Sequence, residues 1–263
     1  MAETIRVARD EHVAFVTLSR PDKHNAVNLE MFAALADAGE ALAADDSVRA
    51  IVLQGDGPSF CAGIDLGVLQ GLDPEMLADK LQPVDGSIAN FFQRAAYVWR
   101  EVPVPVIAAL HGNVFGAGLQ LALGADLRYA GTDCRLSIME IKWGIIPDLA
   151  ISTTLTRLVQ ADQAKELAWT GRILGVDEAA SLGLVTARSD DPKATAREVA
   201  KRIAANSPSA IRAIKHLFDA STGLSAAAAL RLEADLQSQL IGKPQQLEAV
   251  AANLQKRLPE FDD

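Results

Sequence analysis

Three short runs, Val13 to Leu18, Val48 to Leu53 and Val104 to Leu110, are almost wholly apolar, the pattern of strands covered on both faces. The first follows Ile5 and Val7, which alternate with Arg6, so residues 4–19 read as two strands joined around Asp10-Glu11. Asn28 can cap a helix running to about Ala44, with Met31, Leu35 and Leu42 on its apolar side. A second helix is expected from about Ser87 to Val102. Leu127 to Ala130 and Cys134 to Met139 read as further strands.

Two of the apolar strands leave their C-terminal ends in the same way, through a glycine-containing loop into a helix. After Leu53 the loop is Gln54 to Leu66, with Gly55, Gly57 and Gly63; after Leu110 it carries Gly112, Gly116 and Gly118, and Gln120 is the first polar side chain of the next helix. The repetition predicts neighbouring crossover units of a parallel sheet, with their loops on one edge where ligands bind. At such a junction the first N–H groups of a helix lack internal partners and the helix dipole adds positive charge, which suits an oxygen that becomes negative. Taken alone, the glycines serve equally well to let a helix and a strand pack closely.

Residues 67–86 show no clear periodicity and contain Pro74, Pro83 and Gly86, so a mobile insertion beside the site is expected there. Glu140 to Asp148 is an irregular segment with two carboxylates eight residues apart, and Pro147 bars ordinary helix. From Ala150 the pattern is mostly helical, at about 150–160, 161–169 and 177–182. After a short strand at Val185-Thr186, helices follow at about 192–206, 208–220, 224–241 and 244–257. The domain expectation is a core over 1–205 and a helical region over 206–263, whose Ala- and Leu-rich stretch from Leu224 to Leu240 suits packing against another subunit.

The 263-residue chain is long enough for a large core, and 49% hydrophobic with 22% charged residues is an ordinary globular balance. A net charge of −9, without a block of Lys or Arg, argues against nucleic acid as partner. Two cysteines, no N-terminal apolar run and no apolar stretch of membrane-spanning length lead us to expect a cytoplasmic protein off the membrane. His12, His24, His111 and His216 have no metal-ligand spacing, so no bound metal is expected. Leu121 stands where a dinucleotide fingerprint needs its third glycine or alanine, and no phosphate-loop Lys-Ser/Thr follows. Cys61 has no partner histidine in a recognisable Cys/His arrangement, so it is not read as a nucleophile.

Five stretches together carry a resemblance: Arg20 to Ala26, Phe60 to Leu66, His111 to Ala130, Met139-Glu140-Ile141 with Gly144-Ile145-Ile146-Pro147, and Leu182 to Val185. In that order, over roughly residues 5–258, the chain resembles the crotonase family of enoyl-CoA hydratases and isomerases. The resemblance implies an α/β fold, a crotonase-like spiral of ββα units with a C-terminal helical trimerisation region, assembled as a homotrimer or a dimer of trimers. It implies an acyl-CoA thioester as substrate and no separate cofactor.

By motif match, the resemblance assigns the thioester oxygen to the backbone N–H groups of Ile64 and Ala117. Family hydratases use two glutamates; here the second is Glu140, while the first position is Gln120, whose amide cannot exchange a proton at neutral pH. Asp148 stands where family isomerases often carry an acid, which favours shifting a double bond through Glu140 and Asp148. A solvated loop carboxylate or a helix cap are the other readings of Asp148. A hydratase with Gln120 orienting water, and a silent acyl-CoA-binding subunit, are the alternatives for the whole chain. The resemblance also places the coenzyme against Lys23, His24, Ala26, Ala62, Asp65 and Leu66, with Lys256 either reaching its phosphates from an adjacent subunit or simply a surface lysine.

Overall fold

The computed structural model describes residues 3–71 and 73–262. Its main sheet has six strands: β1 (Ile5–Asp10), β2 (Val13–Leu18), β3 (Ala50–Gly55), β4 (Val106–Leu110), β6 (Leu127–Gly131) and β9 (Ala187–Ser189), ordered β1-β2-β3-β4-β6-β9. Only β1 runs antiparallel to its neighbour; the other pairs are parallel. A second sheet of three short strands, β5 (Asn113–Phe115), β7 (Arg135–Ser137) and β8 (Leu174–Gly175), is extended by single bridges pairing Cys61 with Val114 and Val27 with Ile64.

The chain therefore makes repeated turns. β2 passes through Val27 into α1 (Leu29–Ala43); β3 passes through Cys61 and Ile64 into α2 (Leu66–Gly71), followed by α3 (Pro74–Lys80). After α4 (Phe91–Glu101), β4 passes through β5 into α5 (Ala117–Leu123), and β6 through β7 into a 3-10 turn at Glu140–Trp143. Each turn lays one strand in the large sheet, one short segment in the small sheet and then helical backbone. This is the expected ββα spiral.

Burial explains the apolar runs. β2 is buried along its whole length because Ala14, Val16 and Leu18 join the main core while Val13 and Phe15 face a second cluster. That second cluster is closed by Ala196, Val199, Ala200 and Ala204 of α9 (Pro192–Ala204), so both faces of the sheet are covered.

Several expected boundaries move. The helix expected from Ser87 starts at Phe91, because the Asn90 side chain accepts from the N–H groups of Phe92 and Gln93 while the Gln93 side chain accepts from the Asn90 N–H. Residues 67–86 hold α2 and α3 rather than a structureless insertion; Asp73 caps α3 through the Met76 N–H, and Pro74 occupies its first turn. Leu72 lies outside the described residues. The helix expected over 150–160 is α6 (Ile151–Thr154) followed by a 3-10 turn, and the strand expected at Val185-Thr186 forms two residues later as β9.

The remaining helices are α7 (Ala161–Thr170), α8 (Val176–Ser181), α10 (Pro208–Ser221), α11 (Ala226–Leu240) and α12 (Pro244–Gln255). α10 is bound into the body of the protein by Lys215, whose ammonium donates to the carbonyls of Trp99 and Val104 and to Asp126 at 2.8–3.1 Å. No residue of α11 is buried.

Candidate active site

The two glycine-bearing loops lie against each other. Phe60 N–H donates to the His111 carbonyl (2.8 Å), Cys61 N–H to Asn113 (3.1 Å) and Phe115 N–H to the Cys61 carbonyl (3.0 Å). Three glycines permit this approach. A Cβ on Gly112 would fall 2.1 Å from the Pro58 carbonyl oxygen, one on Gly118 would fall 2.4 Å from that of Cys61, and one on Gly63 would fall 3.1 Å from that of Phe115. The close packing that the sequence offered as one reading of these glycines is therefore present. Among the described residues, the Ile64 and Ala117 N–H groups make no backbone or side-chain hydrogen bond, whereas their neighbours Asp65 and Gly116 donate to Val27 and Ser137.

Above the second loop sits Glu140. A Cβ on Gly116 would lie 3.1 Å from its Oε1 and 3.8 Å from its Oε2. Gln120 Nε2 donates to Oε1 at 2.6 Å, and Gln120 Oε1 accepts the Leu149 N–H at 2.8 Å. Glu140 Oε2 is buried without a partner among the described residues. Burial pushes the Glu140 carboxyl up from its ordinary value; the bond from Gln120 works against that shift, and the nearby Asp148 charge adds to it. Asp148 keeps much of its own surface accessible, yet the surrounding protein withholds enough hydration to push its carboxyl up as well. It caps no helix: α6 begins after Ala150.

Glu140, Gln120, Asp148, Ile64 and Ala117 all line one cavity of about 1030 Å³. Of the residues expected at the coenzyme, Lys23, Ala26, Ala62, Asp65 and Leu66 line it too. His24 does not; its ring Nδ1 pairs with Ser59 Oγ at 3.0 Å, beside the cavity wall. Lys256 is exposed in a left-handed turn closing α12 and also stands outside the cavity.

Arg20, which opens the first of the resembling stretches, has a structural role that its sequence context does not disclose. Its guanidinium donates to Asp65 at 3.0 Å and to the Ala26 carbonyl, tying together the two loops that bracket the cavity mouth. Asp65 also accepts the Gly67 N–H, and these contacts hold its carboxyl below its ordinary value. Asn90 and Gln93 were missed as cavity residues, although the Asn-x-x-Gln spacing before an apolar run is a readable helix start. Cys61 is fully buried, its thiol pushed up to about 12 by desolvation, as suits a packing residue. Among the described residues no group of three or more His, Cys, Asp or Glu is placed to hold a metal ion.

The model of the enoyl-CoA hydratase/isomerase family matches residues 8–263. The chain belongs to that family. YngF of Bacillus subtilis, named for the same hydratase/isomerase family, is 34% identical over 254 residues, which is 95% of this chain and 94% of YngF. The 1,2-epoxyphenylacetyl-CoA isomerase of Escherichia coli is 32% identical over 263 residues, 99% of each chain. The crystal structure of the enoyl-CoA hydratase of Bacillus anthracis superposes with a TM-score of 0.90 at 28% identity, covering 98% of both chains. The enoyl-CoA hydratase/isomerase family thus supplies both the crotonase fold and the class of substrate, acyl-CoA thioesters.

Proposed function

We propose that this family member shifts a double bond along an acyl-CoA thioester, with Glu140 as the group that moves the proton. The reading is carried by one observation: of the two glutamates of a family hydratase only Glu140 is present, and its free Oε2 lies beside the loop that presents the Ala117 N–H. In a 3-enoyl thioester, Glu140 takes the proton from the carbon next to the carbonyl. The C–H electron pair enters a dienolate, whose negative oxygen is held by the N–H groups of Ile64 and Ala117; each such donor lowers the barrier by about 3 kcal/mol. A proton is then delivered two carbons further along, either the same one from Glu140 or one already held by Asp148, in which case Glu140 later gives its proton to water and Asp148 regains one; the new double bond is conjugated with the thioester. A carboxyl whose affinity for protons is raised by burial is the stronger base once ionised. No cofactor beyond the coenzyme A of the substrate takes part.

Hydration of a 2-enoyl thioester is the second reading. Gln120 spends one Nε2 proton on Glu140 and its oxygen on Leu149, which leaves one Nε2 proton to orient a water. Purified protein offered 2-enoyl-, 3-enoyl- and 3,5-dienoyl-CoA, followed by ultraviolet absorbance and product mass, separates the two. A mass-neutral spectral change supports the shift; a gain of water supports hydration; tight binding without turnover makes the chain an acyl-CoA-binding subunit.

The coenzyme is assigned to the mouth formed by Lys23, Ala26, Ala62, Asp65 and Leu66, with His24 bracing that wall. Phe218, Leu230, Leu254 and Leu258 are each more than 60% exposed on and just beyond α10 to α12, and we assign these faces to contacts between copies in a trimer or dimer of trimers. In that assembly Lys256 reaches a neighbour's coenzyme. Among the described residues no helix is long and apolar enough to cross a membrane, and the two buried free cysteines fit a reducing compartment, so we place the enzyme in the cytoplasm.

A further inference from the structure

The cavity has an exposed mouth and a buried end. Lys23, Leu66 and Trp143 stand exposed at the mouth, while Phe32, Phe92 and Asn90 are at most 6% exposed at the inner end. The buried lining is largely apolar, as an alkyl chain requires; its polar side chains are Gln120 and Glu140 beside the second glycine loop and the amides of Asn90 and Gln93.

The capping box fixes how both amides are oriented. Asn90 Oδ1 accepts from Phe92 N (3.0 Å) and Gln93 N (2.9 Å), and Gln93 Oε1 accepts from Asn90 N (3.0 Å). Turning either amide over would set an NH2 group against backbone N–H donors, so neither can flip. Both NH2 groups make no hydrogen bond among the described residues, and they are the polar atoms these two side chains have left for the cavity. Lys80, on the neighbouring helix, is held over the Phe91 ring at 3.8 Å and does not line the cavity. The inner end therefore offers neutral donors and no cation.

From this arrangement we propose that the acyl group of the substrate carries an uncharged oxygen acceptor, a ketone or ring oxygen, far from the thioester, and that Asn90 and Gln93 select it by donating to it. The inference rests on the acyl-CoA reading above. A plain alkyl chain leaves both donors desolvated and unpaired, a cost the oxygenated chain avoids. A distal carboxylate would enter without a counter-charge and be disfavoured.

Equilibrium binding of saturated thioesters tests this without depending on turnover. Calorimetry would compare a plain alkanoyl-CoA with ketone-bearing thioesters of equal length, the ketone moved one carbon at a time along the distal half of the chain. One position is expected to bind about tenfold tighter than the plain chain, the effect of one net hydrogen bond. Gln93→Glu and Asn90→Asp keep the capping acceptors but remove the donors; in each, the preference, read as the ratio of ketone-bearing to plain affinity within the same variant, should fall to about one. Equal binding of all thioesters, or an equal loss for plain and ketone-bearing chains in both variants, overturns the inference alone. Absence of binding by every thioester overturns the acyl-CoA reading and this inference with it.

Discussion

Gln120 holds Glu140 from one side and is itself held from the other: its Nε2 lies 2.6 Å from Glu140 Oε1, and its Oε1 accepts the Leu149 N–H at 2.8 Å. A residue 1% exposed is thereby fixed in one amide orientation, and that orientation assigns Glu140 a single engaged oxygen. Gln120→Glu would set a second carboxyl against the first while still accepting from Leu149. Two such groups share a proton, so one of them stays protonated near neutral pH and can act as an acid. The expected outcome is a rise of about tenfold or more in the ratio of hydration to double-bond shift, read by product mass. An unchanged ratio would show that residue 120 does not decide the reaction.

Gln120→Ala makes the complementary test. It leaves the Leu149 N–H and Glu140 Oε1 without their partner and opens a gap in the core. Stability should fall by about 2–4 kcal/mol in denaturant unfolding. Turnover should fall as well, because Glu140 loses the contact that holds it over the loop.

Gly118→Ala asks whether the approach of the two loops matters. The added Cβ meets the Cys61 carbonyl oxygen at 2.4 Å and the Cys61 Sγ at 2.9 Å, and neither has room to withdraw. A loss of about 1–3 kcal/mol is expected, together with weakened binding of a thioester enolate analogue, since pushing residue 61 back carries Ile64 with it. Gly71→Ala is the control: its Cβ meets nothing within 4 Å, and stability should hold or rise by up to about 1 kcal/mol.

That contrast also shows what the sequence discloses and what it does not. Two apolar strands each running into a glycine loop were enough to predict adjacent parallel crossovers, because strand burial and glycine spacing are local properties. The pairing of Gln120 with Glu140 spans twenty residues and depends on the backbone of Leu149, and no local pattern encodes it. The same holds for Lys215, whose partners on α4, the α4–β4 loop and Asp126 make α10 part of the main body rather than an appendage. Short elements escaped for another reason: β5 and β8 have three and two residues, too few for a period to register.

Lys215→Met should therefore destabilise the whole protein rather than only its C-terminal end. It removes three donations from a buried ammonium and leaves the Trp99 and Val104 carbonyls unsatisfied; Asp126 is 30% exposed and retains the Val106 N–H, which moderates the effect. About 2–3 kcal/mol of stability should be lost, with a single cooperative transition and little change in kcat well below the new Tm. A separate early transition confined to the helical region would contradict this placement of α10.

Glu140→Gln should separate activity from stability. Removing the proton carrier is expected to lower turnover by about 10²–10⁴-fold. Stability moves the other way. The Glu140 carboxyl keeps its proton to higher pH in the folded protein than in the unfolded chain, where its value is near 4.5. As pH rises from that value through the raised folded one, the folded state binds more protons than the unfolded state, so wild-type stability falls across this window. Below it both states are protonated and the cost vanishes. A glutamine at 140 still accepts from Gln120 through its own Oε1 but never ionises. The difference in Tm, variant minus wild type, should be smallest at about pH 4 and grow in the variant's favour toward neutrality. Asp148, raised in the same direction, contributes a similar slope to both proteins and cancels from the difference to first order. In the wild type, activity should rise with pH along the same limb on which stability falls, because the base must be ionised to take the first proton. A pH-independent Tm difference would show that the Glu140 carboxyl is not raised in the folded protein, and would remove the physical basis for its use as the base.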